Sequence, residues 1–317
     1  MLVPLLLIAA GVGLLLGGGE LLVRGAQSIA LHLRISPTVV GLTVVAAGTS
    51  APELVVSLSA ALQGTPDLAM GNVVGSNIYN IALILGITAI IQPLRIQGST
   101  VKLEWPILFL CACLMHLLGR DGTIDRLEGA FFVAGLLTFI AWTVYIARRE
   151  VAGEEELAIL RELEDGQLTL RGAVLTAIGG GIMLTLGAQA MVSGAVSIAT
   201  LVGISERIVG LTVVALGTSL PELVASVVAA MKKEADIAVA NVIGSNLFNT
   251  LGILGCTALV TPVPVNPKTL AVDNPWMIGF TLLLLPLMWR RMRLARADGV
   301  ILLSLLLTYT LMLYFTF

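Results

Sequence analysis

Two short stretches, each occurring twice, hold the residues whose chemistry stands out. The chain reads GTSAPE at Gly48–Glu53 and GTSLPE at Gly217–Glu222, and these are followed by GSNIYN at Gly75–Asn80 and GSNLFN at Gly244–Asn249. In each copy a proline, Pro52 or Pro221, comes right after Gly-Thr-Ser inside an apolar run. Proline has no N–H to donate and its ring clashes with the carbonyl four residues back, so the helix is expected to open near Gly48–Thr49 and Gly217–Thr218. Carbonyls freed in hydrocarbon are tolerated only where they line a cavity, and a cation would satisfy them. One residue later stand Glu53 and Glu222, flanked by apolar residues. A carboxylate at the bilayer centre costs at least ~2.5 kcal/mol, so an intramembrane acid is read first as functional.

Hydroxyl and amide oxygens surround these acids in the same pattern. Ser50 and Ser219 lie three residues before the glutamates, which brings them near the same helix face. Ser76 and Asn80, like Ser245 and Asn249, are four apart and point the same way. Carboxylate, hydroxyl, amide and backbone oxygens, with no His or Cys among them, suit Ca2+ and by the same logic Na+, whereas zinc or copper would want imidazole or thiolate. Two carboxylates balance one divalent charge. Asn72 and Asn241 recur as well and read as braces for the opened helix; Asp67 and Asp236, at the starts of their runs, read as N-caps.

The elements that must position these groups are membrane helices. Of 317 residues, 57% are hydrophobic and only 12% charged, and the mean hydropathy is +0.99. A soluble protein of this size needs more charged surface. A net charge of −2 gives no support to nucleic-acid binding. Crossing the bilayer takes about 20 apolar residues, and ten such runs are expected, at about 3–32, 38–62, 67–92, 103–119, 127–147, 172–202, 208–231, 236–261, 273–290 and 299–316. The runs are apolar on every side, which excludes the alternating strands of a β-barrel. The first lacks a basic stretch before it and reads as a retained span rather than a cleaved leader. Cys111, Cys113 and Cys256 read as packing thiols, His32 and His116 as interfacial, Trp105, Trp142, Trp276 and Trp289 as interface anchors, and Glu20 with Arg24 as a salt bridge along one helix.

Adding 169 to each position from Val40 to Ala89 gives Val209 to Ala258 without a gap, and 30 of the 50 pairs are identical. The chain is thus a duplication, with residues 1–148 as a first five-helix repeat, 149–171 as an acidic connecting loop and 172–317 as a second five-helix repeat. Five is odd, so the second copy enters from the opposite side, giving inverted repeats with discontinuous helices at the ion site. Loops after odd-numbered spans carry 13 Lys and Arg against four on the other side, which puts the 149–171 loop in the cytoplasm and both termini outside. Glycines at Gly11, Gly13, Gly17–Gly19, Gly179–Gly181 and Gly187 would let the first span and its counterpart pack closely and slide.

GTSAPE with GSNIYN, repeated as GTSLPE with GSNLFN, resembles the two alpha-repeats of sodium/calcium exchangers in the calcium/cation antiporter superfamily, in their compact prokaryotic form. The resemblance covers nearly the whole chain. It implies one Ca2+ site with neighbouring Na+ sites at mid-membrane, held by side chains of Ser50, Glu53, Ser76, Asn80, Ser219, Glu222, Ser245 and Asn249 and by backbone oxygens of Ala46, Thr49, Ala215 and Thr218. Some members carry Asp at one of the two positions held here by Asn80 and Asn249, so Glu53 and Glu222 are left as the strong anions and the counter-ion is open between Na+ and H+. The expected function is antiport of Ca2+ against Na+ by alternating access in the plasma membrane, with the transported ions as partners, the bilayer as solvent, no resident cofactor and no protein or nucleic-acid partner. A Ca2+/H+ antiporter using the same glutamates, a cation channel and an intramembrane enzyme are the rivals; neither histidine lies near the repeated motifs to serve the last.

Overall fold

The computed structural model describes residues 2–33, 35–65, 67–149, 168–202 and 215–316. These form α1 (Leu2–Leu33), α2 (Pro37–Thr49), α3 (Ala51–Leu62), α4 (Leu68–Ile91), α5 (Thr100–Asp121), α6 (Arg126–Arg149), α7 (Leu170–Leu201), α8 (Ala215–Thr218), α9 (Leu220–Met231), α10 (Ala235–Val260), α11 (Thr269–Trp289) and α12 (Arg296–Thr316). Eight of them are long and apolar enough to cross a membrane, and the pair α2 and α3, bent by 46°, would make a ninth. The span expected at 208–231 is described only from Ala215 onward. Arg34, Arg207, most of the acidic loop at 149–171 and its Arg161 lie outside the described residues.

The all-helical reading holds, and, where both ends are described, the boundaries agree with the expected runs to within a few residues. The most buried elements are α10 and, after it, α4, which sit at the centre of the bundle. Leu94, Met115, Ile124, Phe132, Ile237 and Ile243 are among the core side chains around them. Elements recur at a spacing near 169: π-helical turns at Thr100–Glu104 and Thr269–Asp273, and others at Asn80–Leu85 and Phe248–Leu254. Two short antiparallel ribbons tie the halves together. Strand β1 (Leu94–Arg95) pairs with β4 (Arg293–Leu294), and β2 (Thr123–Ile124) pairs with β3 (Val263–Pro264).

Helices α1 and α7 form the longest helix contact, and it is antiparallel. Contacts recur every seventh residue: Pro4 faces Gly194, Gly11 faces Gly187, Gly18 faces Gly180 and Gly25 faces Ala173. A β-carbon on Gly180 would lie 2.4 Å from Leu22 N and 2.7 Å from Gly18 O, so only glycine fits there. Gly13 and Gly179, by contrast, face open space, and these two members of the glycine runs have no packing role.

Two sequence expectations are corrected by the packing. Glu20 is ion-paired with Lys232 at the end of the neighbouring α9 rather than with Arg24, which is exposed. The pair is half-exposed, where such bridges contribute about 1 kcal/mol or less. Trp105 is no interface anchor: it is buried, stacks on Phe109 with ring centroids 5.3 Å apart, and donates from Nε1 to Thr281 O at 2.7 Å. Trp289 is 66% exposed, as an anchor in contact with lipid would be.

Candidate cation site

Each glutamate sits in the first turn of a helix that starts in mid-bundle. The breaks centre on Ser50 (φ −85°, ψ 5°) and Ser219 (φ −87°, ψ 2°), one residue beyond the glycine-threonine pairs where they were expected. They are single-residue breaks rather than unwound segments. Pro52 and Pro221 fall in the first turn of α3 and α9, where a missing N–H goes unnoticed, so the helix can restart at once. Backbone bonds from Ser50 N to Ala46 O (2.9 Å) and from Leu54 N to Ser50 O (3.2 Å) bracket the first break. Glu53 and Glu222 thereby stand at helix N-termini, whose dipoles favour negative charge.

The structure brings the two acids together. Both are 1% exposed, and a hydrogen bond links the two motifs that carry them. Ser50 Oγ, from the first motif, donates to Glu222 Oε1, from the second, at 2.9 Å. Thr49 Oγ1 lies 3.5 Å from Ser245 Oγ, and its one proton is shared between Asn241 Oδ1 and Ala46 O, each at 3.3 Å. Ser76 and Ser245 are buried on α4 and α10. Ala46 O already accepts from Ser50 N at 2.9 Å and Thr49 Oγ1 at 3.3 Å, so it is not a freed carbonyl here. Of Ala215 and Thr218 the structure describes the backbone as the two ends of α8.

The bracing expected of the recurring asparagines is present in both halves. Asn72 Nδ2 donates to Ser57 Oγ at 3.0 Å and to Glu53 O at 3.4 Å; Asn241 Nδ2 donates to Ser226 Oγ at 3.0 Å and to Glu222 O at 3.4 Å. Each bridge pins the turn that carries a glutamate. Asn241→Ala is expected to leave these buried groups unmatched at a cost of about 1–2 kcal/mol, measurable as a lower Tm of the purified protein. Asp236 is not the cap it was expected to be. Glu234 holds that position, and Asp236 Oδ2 accepts from Gln97 Nε2 at 2.7 Å. The side chain of Asp67 is outside the described set.

Asn80 and Asn249 lie in the π-helical turns of α4 and α10. Such turns displace a helix by one residue and recur at functional sites. Sequence reasoning missed them, and it also missed Asn77 and Asn246. Asn80 Nδ2 donates to Asn246 Oδ1 at 2.9 Å, and Asn249 Nδ2 donates to Asn77 Oδ1 at 3.1 Å. The signal was in the motifs, because Asn77 and Asn246 are the asparagines of Gly-Ser-Asn in both copies.

Once these bonds are drawn, Glu53 Oε2, Glu222 Oε2, Asn80 Oδ1, Asn249 Oδ1 and Ser219 Oγ remain buried without a protein partner. Each such oxygen costs about 1–3 kcal/mol if nothing meets it. Four of the five form two pairs related by the internal repeat, and all but the serine hydroxyl can act only as acceptors when the acids are ionised. No group of three or more His, Cys, Asp and Glu converges among the described residues. A donor set of two acids with neutral oxygens fits a hard cation.

A family model described as sodium/calcium exchanger protein matches residues 3–146 and, again, residues 172–315. The chain is 40% identical over 319 residues to a putative antiporter, CaxA, of Alkalimonas amylolytica, covering 99% of each. It is 31% identical to the sodium/calcium exchanger MaX1 of Methanosarcina acetivorans, also over 99% of each. Its fold matches a structure of the sodium-calcium exchanger NCX_Mj with a TM-score of 0.84 at 29% identity, covering 100% of this chain and 99% of that one. Both halves are matched and these relatives are covered end to end, so this chain is a multi-pass membrane transporter rather than an enzyme and belongs to the sodium/calcium exchanger protein family.

Proposed function

We propose that the protein is a secondary antiporter that exchanges Ca2+ for Na+ by alternating access, carrying both ions in turn on Glu53 and Glu222. The observation that carries this reading is the set of partnerless buried oxygens, drawn from the repeated motifs of both halves. Ser50, Ser76, Ser219, Ser245, Asn80 and Asn249 complete the proposed ligand set, with backbone oxygens at Thr49, Ala215 and Thr218; Ala46 O would join them only by giving up the hydrogen bonds it accepts in this state. The ions are cargo, and the proposal includes no resident cofactor. Two unpaired carboxylates in a low-dielectric site repel each other, so the site is costly to reorient unless Ca2+ or its competitor neutralises it. Exchange without leak follows from that requirement.

We further propose ten spans in two inverted five-helix repeats, 1–148 and 172–317, joined by a cytoplasmic loop at 149–171, with both termini outside the plasma membrane. Three features support this. The family model matches one stretch inside each repeat. Helices α1 and α7, equivalent in the duplication, run antiparallel. The connection between the third and fourth spans pairs through β1 with the connection after the ninth, and the one after the fourth pairs through β2 with the one after the eighth. Alternate threading of ten spans puts the first two connections on one membrane face and the other two on the opposite face. Access would alternate as α1 and α7 move together past the broken helices.

The test is calcium flux into vesicles reconstituted with the purified protein. An outward Na+ gradient is expected to drive Ca2+ uptake, and collapsing that gradient is expected to stop it. Uptake driven by a pH gradient in Na+-free buffer would assign H+ as the counter-ion instead, and Ca2+ flux independent of either gradient would overturn antiport altogether.

A further inference from the structure

We propose that Asn77 and Asn246 are positioning residues that decide which end of the Asn249 and Asn80 amides faces the transported cation; the inference rests on the ion-site reading given above. A primary amide has an acceptor end and a donor end of nearly equal size. Turned one way, an asparagine in a cation site is a ligand. Turned the other way, it aims two partly positive hydrogens at the ion. Neither Asn80 nor Asn249 can set its own orientation, so something in contact with the amide must do so.

The contacts that do so cross from one half to the other. Asn249 Nδ2 is engaged by Asn77 Oδ1 at 3.1 Å, and Asn80 Nδ2 is engaged by Asn246 Oδ1 at 2.9 Å. In both cases the ligand amide is left with its oxygen free and its nitrogen occupied, as the partnerless Asn80 Oδ1 and Asn249 Oδ1 record. Asn77 and Asn246 must in turn be held with their own oxygens facing these donors. Asn77 Nδ2 donates to Thr250 Oγ1 at 2.9 Å, and Asn246 Nδ2 donates to the main-chain oxygen of Asn77 at 3.2 Å. The second anchor is a backbone carbonyl, which accepts and cannot flip. Rotating the Asn249 amide would set its oxygen against Asn77 Oδ1, two acceptors with no hydrogen between them. All five side chains are 3% exposed or less, so water offers no substitute partner.

Thr250 has no equivalent, because the matching position in the first half is Ile81. The two halves therefore reach the same ligand orientation by different anchors. This is the result expected if the orientation of the Asn80 and Asn249 oxygens, rather than the particular hydrogen bonds, is what function requires.

The test uses substitutions that remove the need for orientation. An aspartate at position 249 has two equivalent acceptor oxygens and no donor end, so its side chain has no wrong way to face. Ca2+ affinity is measured by equilibrium 45Ca binding to the purified full-length protein at pH 8. N77A alone is expected to weaken binding about 10- to 100-fold, the range for losing a charge-assisted contact. The same change made in an N249D background is expected to cost less than about 3-fold. The pair N246A and N80D repeats the comparison from the other half, should N77A fail to fold. An equal factor in both backgrounds means that Asn77 acts only through packing and overturns the proposal, as does wild-type binding by N77A. Glu53→Gln is the control on the site itself: if it binds Ca2+ like the wild type, the ion-site reading fails first, and that failure is distinct from the other two.

Discussion

Glu222→Gln is expected to lower Ca2+ exchange in reconstituted vesicles by about 100-fold or more while the protein stays folded, and Glu53→Gln is expected to do the same. Glutamine nearly matches glutamate in shape and keeps one acceptor oxygen, so the hydrogen bond from Ser50 Oγ to position 222 can persist. On the proposed reading, what is lost is a unit charge beside a divalent ion. At about 4 Å and an effective dielectric constant near 20, one pair of unit charges is worth about 4 kcal/mol, and a divalent partner doubles it. Ion dehydration and relaxation of the site offset much of that sum; a residue of about 3 kcal/mol corresponds to about 100-fold. The ion-free protein is expected to be at least as stable after either change, because each removes a buried acid with an unmatched oxygen. Initial 45Ca uptake and the Tm of the ion-free protein, measured together, check both statements. Full uptake by both variants would remove the glutamates from the mechanism.

Gly180→Leu is expected to abolish transport by a different route, through the α1–α7 contact. With Leu22 N and Gly18 O both within 2.7 Å of where a β-carbon would sit, neither a rotamer change nor a flexible neighbour can make room. The backbones must separate, and overpacking of this kind costs typically 1–3 kcal/mol, more where main chain opposes main chain. Because the contact repeats along both helices, prying it open at Gly180 also loosens Gly11 against Gly187 and Gly25 against Ala173. Gly179→Leu is the matched control. A β-carbon added there would meet nothing within 4 Å, and near-wild-type uptake is expected. Crosslinking between cysteines introduced at Val12 and Leu186, on the facing helices, would report the separation independently of transport.

Local features of the chain were the ones its sequence made readable. The bent second span was placed at 38–62 and is found over Pro37–Leu62, since apolar length and proline position are properties of consecutive residues. The glutamates, serines and outer asparagines of the motifs were identifiable because duplication marked each of them twice. Tertiary partners were not. Glu20 had Arg24 one turn away, but its partner Lys232 is 212 residues distant, and helical spacing carries no information about that distance. Trp105 looked like an anchor because aromatic residues near span ends usually are, yet the neighbouring π-helical turn at Thr100–Glu104 and the indole bond to Thr281 O go with an inward-facing ring. Three glycines in a row at Gly179–Gly181 read as one packing surface, but successive residues on a helix point about 100° apart and only the middle one meets the α1 backbone. Asn77 and Asn246 went unread because what sets them apart is whose amide their oxygens accept from, 172 and 166 residues away, which only the folded arrangement reveals.

The two β-ribbons bear on how such a molecule could have arisen. Each half contributes one strand of either kind, β1 corresponding to β3 and β2 to β4, and each strand pairs with the other kind from the other half. This is the isologous pattern of a twofold dimer, in which a single surface is complementary to itself. Two unfused copies of one five-helix unit, threaded in opposite senses, would close both ribbons and the glycine seam without any contact that the fused chain lacks. Gene fusion would then have contributed asymmetry rather than architecture: with the copies on one chain, a threonine could appear at 250 while isoleucine stayed at 81, and the two sides of a once-identical pore could begin to differ.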